Sequence, residues 1–155
     1  MEEFKINHPD SNITATFFLN KGLFNQEEYN NEIVSKVIEL GYDIGNHTMN
    51  HVDFSTINTK KTQEEVGGMY EILESVIPDK YVNIIALPFG SPYKKNHSNY
   101  PYILKSTYNE KEYDAYTLEV KWEYKEENKY DTSALGFFTR GKQFPEIIVN
   151  NLNKS

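Results

Sequence analysis

A chain of 155 residues has room for one domain with a sizeable core, but it is small for a closed eight-unit α/β barrel. Its formal net charge of -7, with the lysines dispersed among glutamates, disfavours a phosphate-backbone partner, so we expect no nucleic acid to bind. The absence of cysteine excludes both a disulfide framework and a thiolate metal site.

The apolar runs of the sequence are short compared with a membrane span, which needs roughly 20 consecutive apolar residues. The start of the chain, Met-Glu-Glu-Phe-Lys, also lacks the basic beginning and apolar centre of a signal peptide. We therefore expect no transmembrane segment and no export signal in this sequence.

Predicted helices and strands alternate from the start of the chain. Residues Glu2–Asn7 resemble the end of a helix, which a break at Pro9 follows. Ile13–Leu19 is rich in β-branched and aromatic residues, as expected for a strand buried on both faces of a parallel sheet. Gln26–Leu40 carries apolar residues at helical spacing, and Tyr42–Ile44 is a second short strand.

The alternation continues through the middle of the chain. Asn58 or Thr59 can cap a long helix that runs to about Ile77. Val82–Leu87 is a third buried strand, and it ends in the stiff turn Pro88–Pro92. Strands and helices in this order are typical of right-handed βαβ units, so the sequence predicts an α/β fold with a parallel sheet.

The later part of the chain is less regular in its pattern. In chain order, we expect irregular structure over Lys94–Asn109, a half-exposed strand over Ala115–Tyr124, a charged loop over Glu123–Lys129, a last strand over Ala134–Thr139, and a terminal helix that Pro145 begins and that continues through Ile147, Ile148 and Leu152. No internal repeat or low-complexity tract occurs in the sequence.

Two of the four histidines, His47 and His51, stand four residues apart just after the second predicted strand. On a helix or a helical turn this spacing brings both imidazoles onto one face, about 5–6 Å apart between Cβ atoms, where they can share one metal ion. The spacing alone is a weak signal, because four histidines placed at random over this length give such a pair roughly one time in twelve. Solvated or capping histidines are therefore the starting interpretation.

The position of the pair favours a functional interpretation. Parallel α/β folds place their chemistry at the carboxyl ends of the strands. The histidines follow the carboxyl end of the second predicted strand, and the turn Pro88–Pro92 follows that of the third. We therefore expect the two segments to lie at one edge of the sheet.

Three segments carry a resemblance to a known family. They are Ala15-Thr-Phe-Phe-Leu19, Gly41-Tyr-Asp-Ile-Gly-Asn-His-Thr-Met-Asn-His51 and Ala86-Leu-Pro-Phe-Gly90. In this order and on these elements they resemble the polysaccharide deacetylases with a NodB homology domain, carbohydrate esterase family 4. The resemblance covers residues 2–90 well and 131–140 faintly, and it makes residues 1–155 a single partial domain. It implies an incomplete distorted β/α barrel and the metal-dependent removal of N- or O-acetyl groups from a polysaccharide.

The resemblance also assigns roles to the histidine segment. His47 and His51 match the two histidines of the family's H-[ST]-x-x-H metal motif. Thr48 matches the Ser or Thr of that motif, which braces the loop by hydrogen bonding. The implied cofactor is a divalent metal ion, with Zn²⁺ the first candidate.

The third segment is similar to the family's R-x-P-[FY] motif. Pro88, Phe89 and Gly90 are the substrate-binding residues that it implies, and the backbone N–H of Phe89 is the implied oxyanion donor. A backbone donor does not need the phenol oxygen that Phe89 lacks. Ala86 stands where many members have an arginine that orients the catalytic aspartate, although part of the family uses the Ala-Leu-Pro-Phe-Gly form.

The sequence departs from the family pattern at two other motifs. It contains no Asp-Asp, the pair that supplies the family's general base and third metal ligand. It also has no recognisable late Leu-x-x-His, the source of the catalytic acid, and the surroundings of His97 do not match that motif. Asp43 and Asp53 are candidates to replace the missing metal ligand or general base. The usual role of such residues, a solvated carboxylate at the surface, is the alternative. We therefore expect an N-terminally truncated domain that keeps metal ligands and lacks the groups for turnover.

Two functions from different classes remain. The first is a metal-dependent deacetylase of an acetylated polysaccharide, such as peptidoglycan, a chitin-like polymer or an exopolysaccharide, which the family implies to be a secreted or cell-surface bacterial protein. The second is a non-catalytic carbohydrate-binding or vestigial fragment. A flavodoxin-like domain ranks last, because the sequence has no glycine loop to hold a phosphate. The strand near Thr14 would have an open edge, through which we expect self-association.

Overall fold

The computed structural model describes residues 2–10, 14–124 and 143–149, of which 118–124 and 143–149 are described as backbone only. Its helices are α1 (Glu2–Asn7), α2 (Asn30–Glu39), α3 (Thr59–Val76) and α4 (Tyr100–Leu104). Its strands are β1 (Thr16–Leu19), β2 (Asp43–Asn46), β3 (Ile84–Ile85), β4 (Lys105–Tyr108), β5 (Lys111–Asp114), β6 (Tyr116–Tyr124) and β7 (Gln143–Val149). A 3₁₀ turn, Pro88–Gly90, follows β3. None of the described helices has the length and apolar character that a bilayer-spanning segment needs.

The strands form a five-stranded sheet in the order β1-β2-β3-β6-β7 and a separate hairpin of β4 and β5. Neighbours from β1 to β6 are parallel, and β7 runs antiparallel to β6. Helix α2 connects β1 to β2, and α3 connects β2 to β3, so the chain contains the predicted βαβ units. The α/β class is confirmed, and the described strands form an open sheet that makes up part of a barrel.

Helix α3 begins and packs as its sequence predicts. The side chain of Asn58 caps it, because Oδ1 accepts a hydrogen bond from the N–H of Lys61 at 2.8 Å. The helix then buries an apolar face that includes Val66, Met69 and Leu73. Packing of this face against the sheet is what holds the helix in place beside the loop that follows β2.

The core lies between the parallel sheet and α3. Its largest fully buried apolar side chains are Tyr70, Phe54, Ile44, Met69, Leu73, Ile85 and Ile103. Phe54 belongs to the segment between β2 and α3, so that segment is anchored in the core. The ring of Tyr70 also stacks on Tyr113 of β5, with ring centroids 5.8 Å apart, which extends the packing to the hairpin.

Gly67 and Gly68 stand in the middle of α3, where each glycine lowers helix stability by roughly 1 kcal/mol relative to alanine. Both are buried, and the space for a side chain is already occupied. A Cβ built on Gly67 would lie 2.5 Å from the Cβ of Tyr108 in β4, and one on Gly68 would overlap the Sδ of Met49. The glycines therefore allow α3 to approach both the hairpin and the loop after β2.

We expect Gly67→Ala to lower the free energy of unfolding by about 1–2 kcal/mol, because overpacking against Tyr108 outweighs the gain in helix propensity. The Cβ of Tyr108 is fixed to the backbone and cannot swing away as the end of a long side chain can. Urea unfolding followed by circular dichroism measures the change. Lys60→Ala, at an exposed position of the same helix, is the control for helix propensity. A Gly67→Ala chain at least as stable as the wild type would contradict the expectation.

Strand β1 pairs with β2 along its whole length, from Thr16 opposite Asp43 to Leu19 opposite Asn46. Within the described ranges no strand pairs with its other side. The open edge expected from the sequence is thus found in this part of the chain. Self-association through that edge stays a prediction.

The prediction of a terminal helix that begins at Pro145 is wrong. Residues Gln143–Val149 form β7, in which Pro145 pairs with Trp122 of β6. The β-branched run Ile147–Val149 favours a strand over a helix, and a proline is tolerated in β7 because β7 is last in the described strand order. A partner strand, which the local sequence does not reveal, decided the structure of this segment.

Two further expectations change. The segment Lys94–Asn109, predicted to be irregular, contains α4 and β4, and a proline in the first turn of α4 helps that helix to begin. Residues 123 and 124 of the predicted loop Glu123–Lys129 belong to β6. The rest of that loop, the strand over Ala134–Thr139 and Leu152 lie outside the described residues.

Candidate functional site

The histidine pair lies at the carboxyl edge of the parallel sheet. Strand β2 ends at Asn46, and His47 and His51 belong to the loop that follows. Their ring centroids are 4.8 Å apart, with an angle of 74° between the ring planes. The two imidazoles are therefore in contact, as their spacing in the sequence predicts.

The backbone of this loop is not the helical turn that we expected. Thr48 and His51 have φ values of 67° and 54°, and no helix covers residues 47–51. The side chain of Asn46 accepts the N–H of Thr48 at 2.7 Å, which replaces a helical hydrogen bond. The Oγ1 of Thr48 in turn accepts the N–H of His51 at 3.0 Å, so Thr48 braces the loop as the resemblance implies.

Side chains from neighbouring elements hold this loop in place. Asn46 Nδ2 donates to the carbonyl of Val66 in α3 at 3.0 Å. Asn20, which follows β1, donates from Nδ2 to the carbonyls of His47 and Thr48 at 2.6 and 2.9 Å. Because the polar groups of its backbone pair with the rest of the protein, the loop has its shape before any ligand binds.

A buried carboxylate on α3 completes the frame. Glu65 has 0% exposure; its Oε2 accepts the N–H of Asn50 at 2.8 Å, and its Oε1 accepts from Asn50 Nδ2 at 2.7 Å. Lys61 Nζ lies 3.1 Å from Oε1 and supplies the opposite charge that a buried carboxylate needs. Sequence reasoning missed Glu65. Its position four residues before Met69, on the apolar face of α3, could have indicated that this carboxylate is buried.

His47 is held in a defined tautomer. Its Nδ1 lies 2.8 Å from the carbonyl oxygen of Ala86, and since a carbonyl can only accept, Nδ1 carries the proton and Nε2 keeps its lone pair. Burial lowers the pKa of His47, and the neighbouring His51 lowers it further, while the Ala86 carbonyl acts in the opposite direction. His47 is thus neutral at pH 7, the form in which imidazole binds a metal ion.

The turn after β3 brings a backbone donor to the same edge of the sheet. Phe89 has a φ of 58°, and its ring, 62% exposed, lies 4.8 Å from the ring of His51 between centroids. The neighbouring N–H of Gly90 donates to the carbonyl of Leu87 at 3.0 Å. In the described ranges no backbone carbonyl takes the N–H of Phe89. Pro88 is buried and shapes the turn, whereas Phe89 and Gly90 are exposed.

A hydrogen bond joins the two loops of the site. The Oγ of Ser91 donates to Oδ1 of Asp53, which also accepts from the N–H and Oγ of Ser55 at 2.8 and 2.7 Å. The hydrogen bonds from Ser55 and then Ser91 lower the pKa of Asp53, so this carboxyl is ionised at neutral pH. Asp53 therefore braces the two loops against each other, a role that sequence reasoning did not assign to it.

The remaining candidates do not join the pair. Asp43 begins β2 and is exposed at the opposite end of the strand from His47. His97 Nδ1 accepts the N–H of Asn99 at 3.2 Å. Across the residues that the structure describes, no group of three His, Cys, Asp or Glu side chains is placed to hold a metal ion.

The fold and the site define a parallel α/β domain that presents paired imidazoles and a backbone donor at the carboxyl edge of its sheet. The sequence profile of the polysaccharide deacetylase family matches residues 10–108, and the chain belongs to this family. The match takes in β1, β2, α3, β3 and the whole of the site described above.

Solved structures of deacetylases and esterases are similar to this chain. A structure described as T48 deacetylase with substrate is 23% identical with a TM-score of 0.51, over 68% of this chain and 47% of the other. A family 4 carbohydrate esterase from Streptomyces lividans, in complex with acetate, is 15% identical with a TM-score of 0.48, over 62% and 48%. The Bc1960 peptidoglycan N-acetylglucosamine deacetylase is 27% identical with a TM-score of 0.46, over 57% and 38%. The first of these supports the fold, and the chain spans about half of its length.

Proposed function

We propose that this chain is the part of a polysaccharide deacetylase that binds a divalent metal ion and holds the acetyl group of the substrate. The observation that carries the proposal is the meeting of two loops at one edge of the sheet. The ring of His51 contacts the rings of both His47 and Phe89, at centroid distances of 4.8 Å each. Metal ligands and an oxyanion donor are two of the parts that metal-assisted hydrolysis of an acetyl group requires.

The histidine pair suits zinc in donor type and protonation. Neutral imidazole is a common zinc ligand, and Nε2 of His47 keeps a lone pair because Nδ1 donates to the Ala86 carbonyl. His51 is exposed and can be reached from solvent. Zinc sites usually have three or four protein ligands, whereas the described residues contain no group of three. The proposal is therefore a two-histidine site whose other ligands come from outside the described residues.

The residues of the site then have distinct roles. When bound, the ion polarises the acetyl carbonyl as a Lewis acid. The N–H of Phe89 donates to the oxygen on which negative charge develops, and the loss of one such donor typically costs about 10²–10³ in rate. The hydrogen bond from Ser91 to Asp53 holds this turn against the histidine loop, so the donor and the imidazoles keep their relative positions. The Ala86 carbonyl orients His47.

Family membership supports one class of substrate. We propose an acetylated polysaccharide, such as peptidoglycan, a chitin-like polymer or an exopolysaccharide, as the ligand. The exposed ring of Phe89 beside the histidines supports this class, because aromatic surface next to polar groups is typical of a carbohydrate cleft.

A non-catalytic carbohydrate-binding function is the second candidate, and one observation favours it. The sequence has no Asp-Asp pair, from which the family takes its general base, and the described residues place no carboxylate with the two histidines. Base catalysis typically contributes about 10²–10⁴-fold to the rate. On this candidate the chain binds the ion and the sugar without removing the acetyl group.

Zinc titration and acetate release together test the two candidates. We expect the purified chain to bind Zn²⁺ in isothermal titration calorimetry. Acetate release from acetylated chitooligosaccharides or peptidoglycan, dependent on added zinc, supports the deacetylase. Zinc and sugar binding without acetate at any metal loading supports the non-catalytic candidate. A chain that binds no zinc contradicts the proposed metal site.

A further inference from the structure

The aromatic surface beside the histidine pair extends past Phe89. Phe89 and Tyr93 are 62% and 84% exposed, and they belong to the same segment after β3. The hydroxyl of Tyr93 donates a hydrogen bond to the carbonyl of Phe89 at 2.9 Å. The ring of Tyr93 is therefore tied to the turn that carries the proposed oxyanion donor.

The ring of Tyr93 lies beside Gly90. A Cβ built on Gly90 would lie 3.4 Å from Cε1 of Tyr93, an ordinary contact distance, and the φ of 65° at Gly90 favours glycine. The ring of Tyr93 therefore has the turn on one side. Its high exposure shows that the ring is otherwise open to solvent.

Packing does not explain a tyrosine in this position. Tyrosines that contribute to the core are buried, as Tyr70 and Tyr113 are, whereas Tyr93 leaves most of its ring in water. The hydroxyl of Tyr93 is already paired with Phe89, so the ring presents its flat apolar face and not its polar end. Such a face can lie against the C–H face of a pyranose ring, whose hydroxyl groups project around the rim.

We propose that Tyr93 and Phe89 form an aromatic platform that binds a second sugar unit, the neighbour of the unit whose acetyl group the Phe89 N–H holds. The inference rests on the proposed function, since it takes a polysaccharide as the ligand and the Phe89 turn as the acetyl site. The hydroxyl anchor places the Tyr93 ring beside that turn, over Gly90, so the ring meets the next unit of the polymer. The ligand is therefore an oligosaccharide of at least two units.

Sugar titrations of the whole chain test the platform. The probes are N-acetylglucosamine and its di-, tetra- and hexasaccharide, measured by isothermal titration calorimetry with and without added zinc. We expect the disaccharide to bind the wild type more tightly than the monosaccharide does. Tyr93→Ala should weaken oligosaccharide binding by about tenfold and leave monosaccharide binding unchanged. Tyr93→Phe keeps the ring but loses the hydrogen bond to Phe89. It should therefore weaken oligosaccharide binding less, by about two- to threefold.

Tyr29→Ala is the matched control, because Tyr29 is also an exposed tyrosine, 52% exposed, but lies beside the start of α2. It should bind every probe as the wild type does. Circular dichroism of each variant checks that the fold is retained, which is expected because the ring of Tyr93 is largely in solvent.

Each other outcome overturns the platform, and the outcomes separate it from the proposed function. Equal oligosaccharide affinity in the wild type and Tyr93→Ala overturns the platform and leaves the proposed function intact. If Tyr93→Ala weakens monosaccharide binding as much as oligosaccharide binding, Tyr93 contacts the acetylated unit itself. That result overturns the assignment of Tyr93 to a second unit. Zinc binding without sugar binding in the wild type overturns the platform and the substrate part of the proposed function, and leaves the metal site intact. Absence of both overturns the platform and the proposed function together.

Discussion

His47→Ala and His51→Ala should each lower the zinc affinity of the chain by about 100-fold or more, since even residues that only orient a ligand are worth about 10–100-fold. Each substitution removes one of two imidazoles whose ring centroids are 4.8 Å apart. The double variant should bind zinc little more weakly than either single variant, because one imidazole alone is a poor site. Competition against a chromophoric chelator measures the affinities.

His8→Ala is the matched control for the zinc experiment. The ring of His8 contacts Phe4 of α1, with ring centroids 4.2 Å apart and an angle of 30° between the ring planes, and His8 belongs to neither loop of the site. Its removal should leave zinc binding unchanged. His51→Ala is the sharper of the two tests, because His51 is exposed and the hydrogen bond from His47 to Ala86 stays in place. Wild-type zinc affinity in His51→Ala would show that the pair is not the metal site.

Glu65→Ala should lower the free energy of unfolding by about 2–4 kcal/mol, because charge-assisted hydrogen bonds contribute roughly 1.5–3 kcal/mol each and a cavity remains. The substitution leaves both donors of Asn50 without their acceptors. Because Asn50 lies between the two histidines, zinc affinity should also fall, by about tenfold. Urea unfolding of the metal-free chain and chelator competition measure the two effects separately.

Two companion variants make the Glu65 experiment specific. Glu65→Gln keeps the side-chain volume but replaces one acceptor oxygen by a donor. It should therefore lower the free energy of unfolding by about half as much as Glu65→Ala does. Glu64→Ala removes a neighbouring glutamate, 38% exposed, whose carboxylate lies 3.4 Å from Lys61. Loss of this surface ion pair should change the free energy of unfolding by less than about 0.5 kcal/mol. A Glu65→Gln chain with wild-type stability and zinc affinity would contradict the positioning role.

The α/β class could be predicted from the sequence because its signal is local. Strands buried on both faces read as continuous apolar runs, so Ile13–Leu19 and Val82–Leu87 contain β1 and β3. The contact between His47 and His51 was expected from a helical turn, and the structure reaches it through a loop with positive φ at Thr48 and His51. The carboxyl ends of parallel strands meet at one edge, which brought Phe89 to the pair.

The parts that could not be predicted depend on contacts between segments far apart in the sequence. Glu65 reaches Asn50 across 15 residues, and Asn20 reaches His47 across 27, and both contacts require the placement of α3 and β1 on the sheet. The sequence from Pro145 onward is compatible with either a helix or a strand. It forms a strand because it pairs with β6.

Among the described residues, eight residues other than glycine have a positive φ, and three of them, Thr48, His51 and Phe89, belong to the two loops of the site. Their φ values of 67°, 54° and 58° lie in the left-handed region, where a residue with a Cβ is strained by roughly 1–3 kcal/mol. Threonine, which is β-branched, is least suited to it. Thr48 is buried and its Oγ1 accepts the N–H of His51, so its side chain contributes to the shape of the loop. His51 and Phe89 are exposed, and glycine at either position would relieve backbone strain with little loss of packing. The side chains of His51 and Phe89 therefore lower the stability of the two loops, as strained residues at binding sites do.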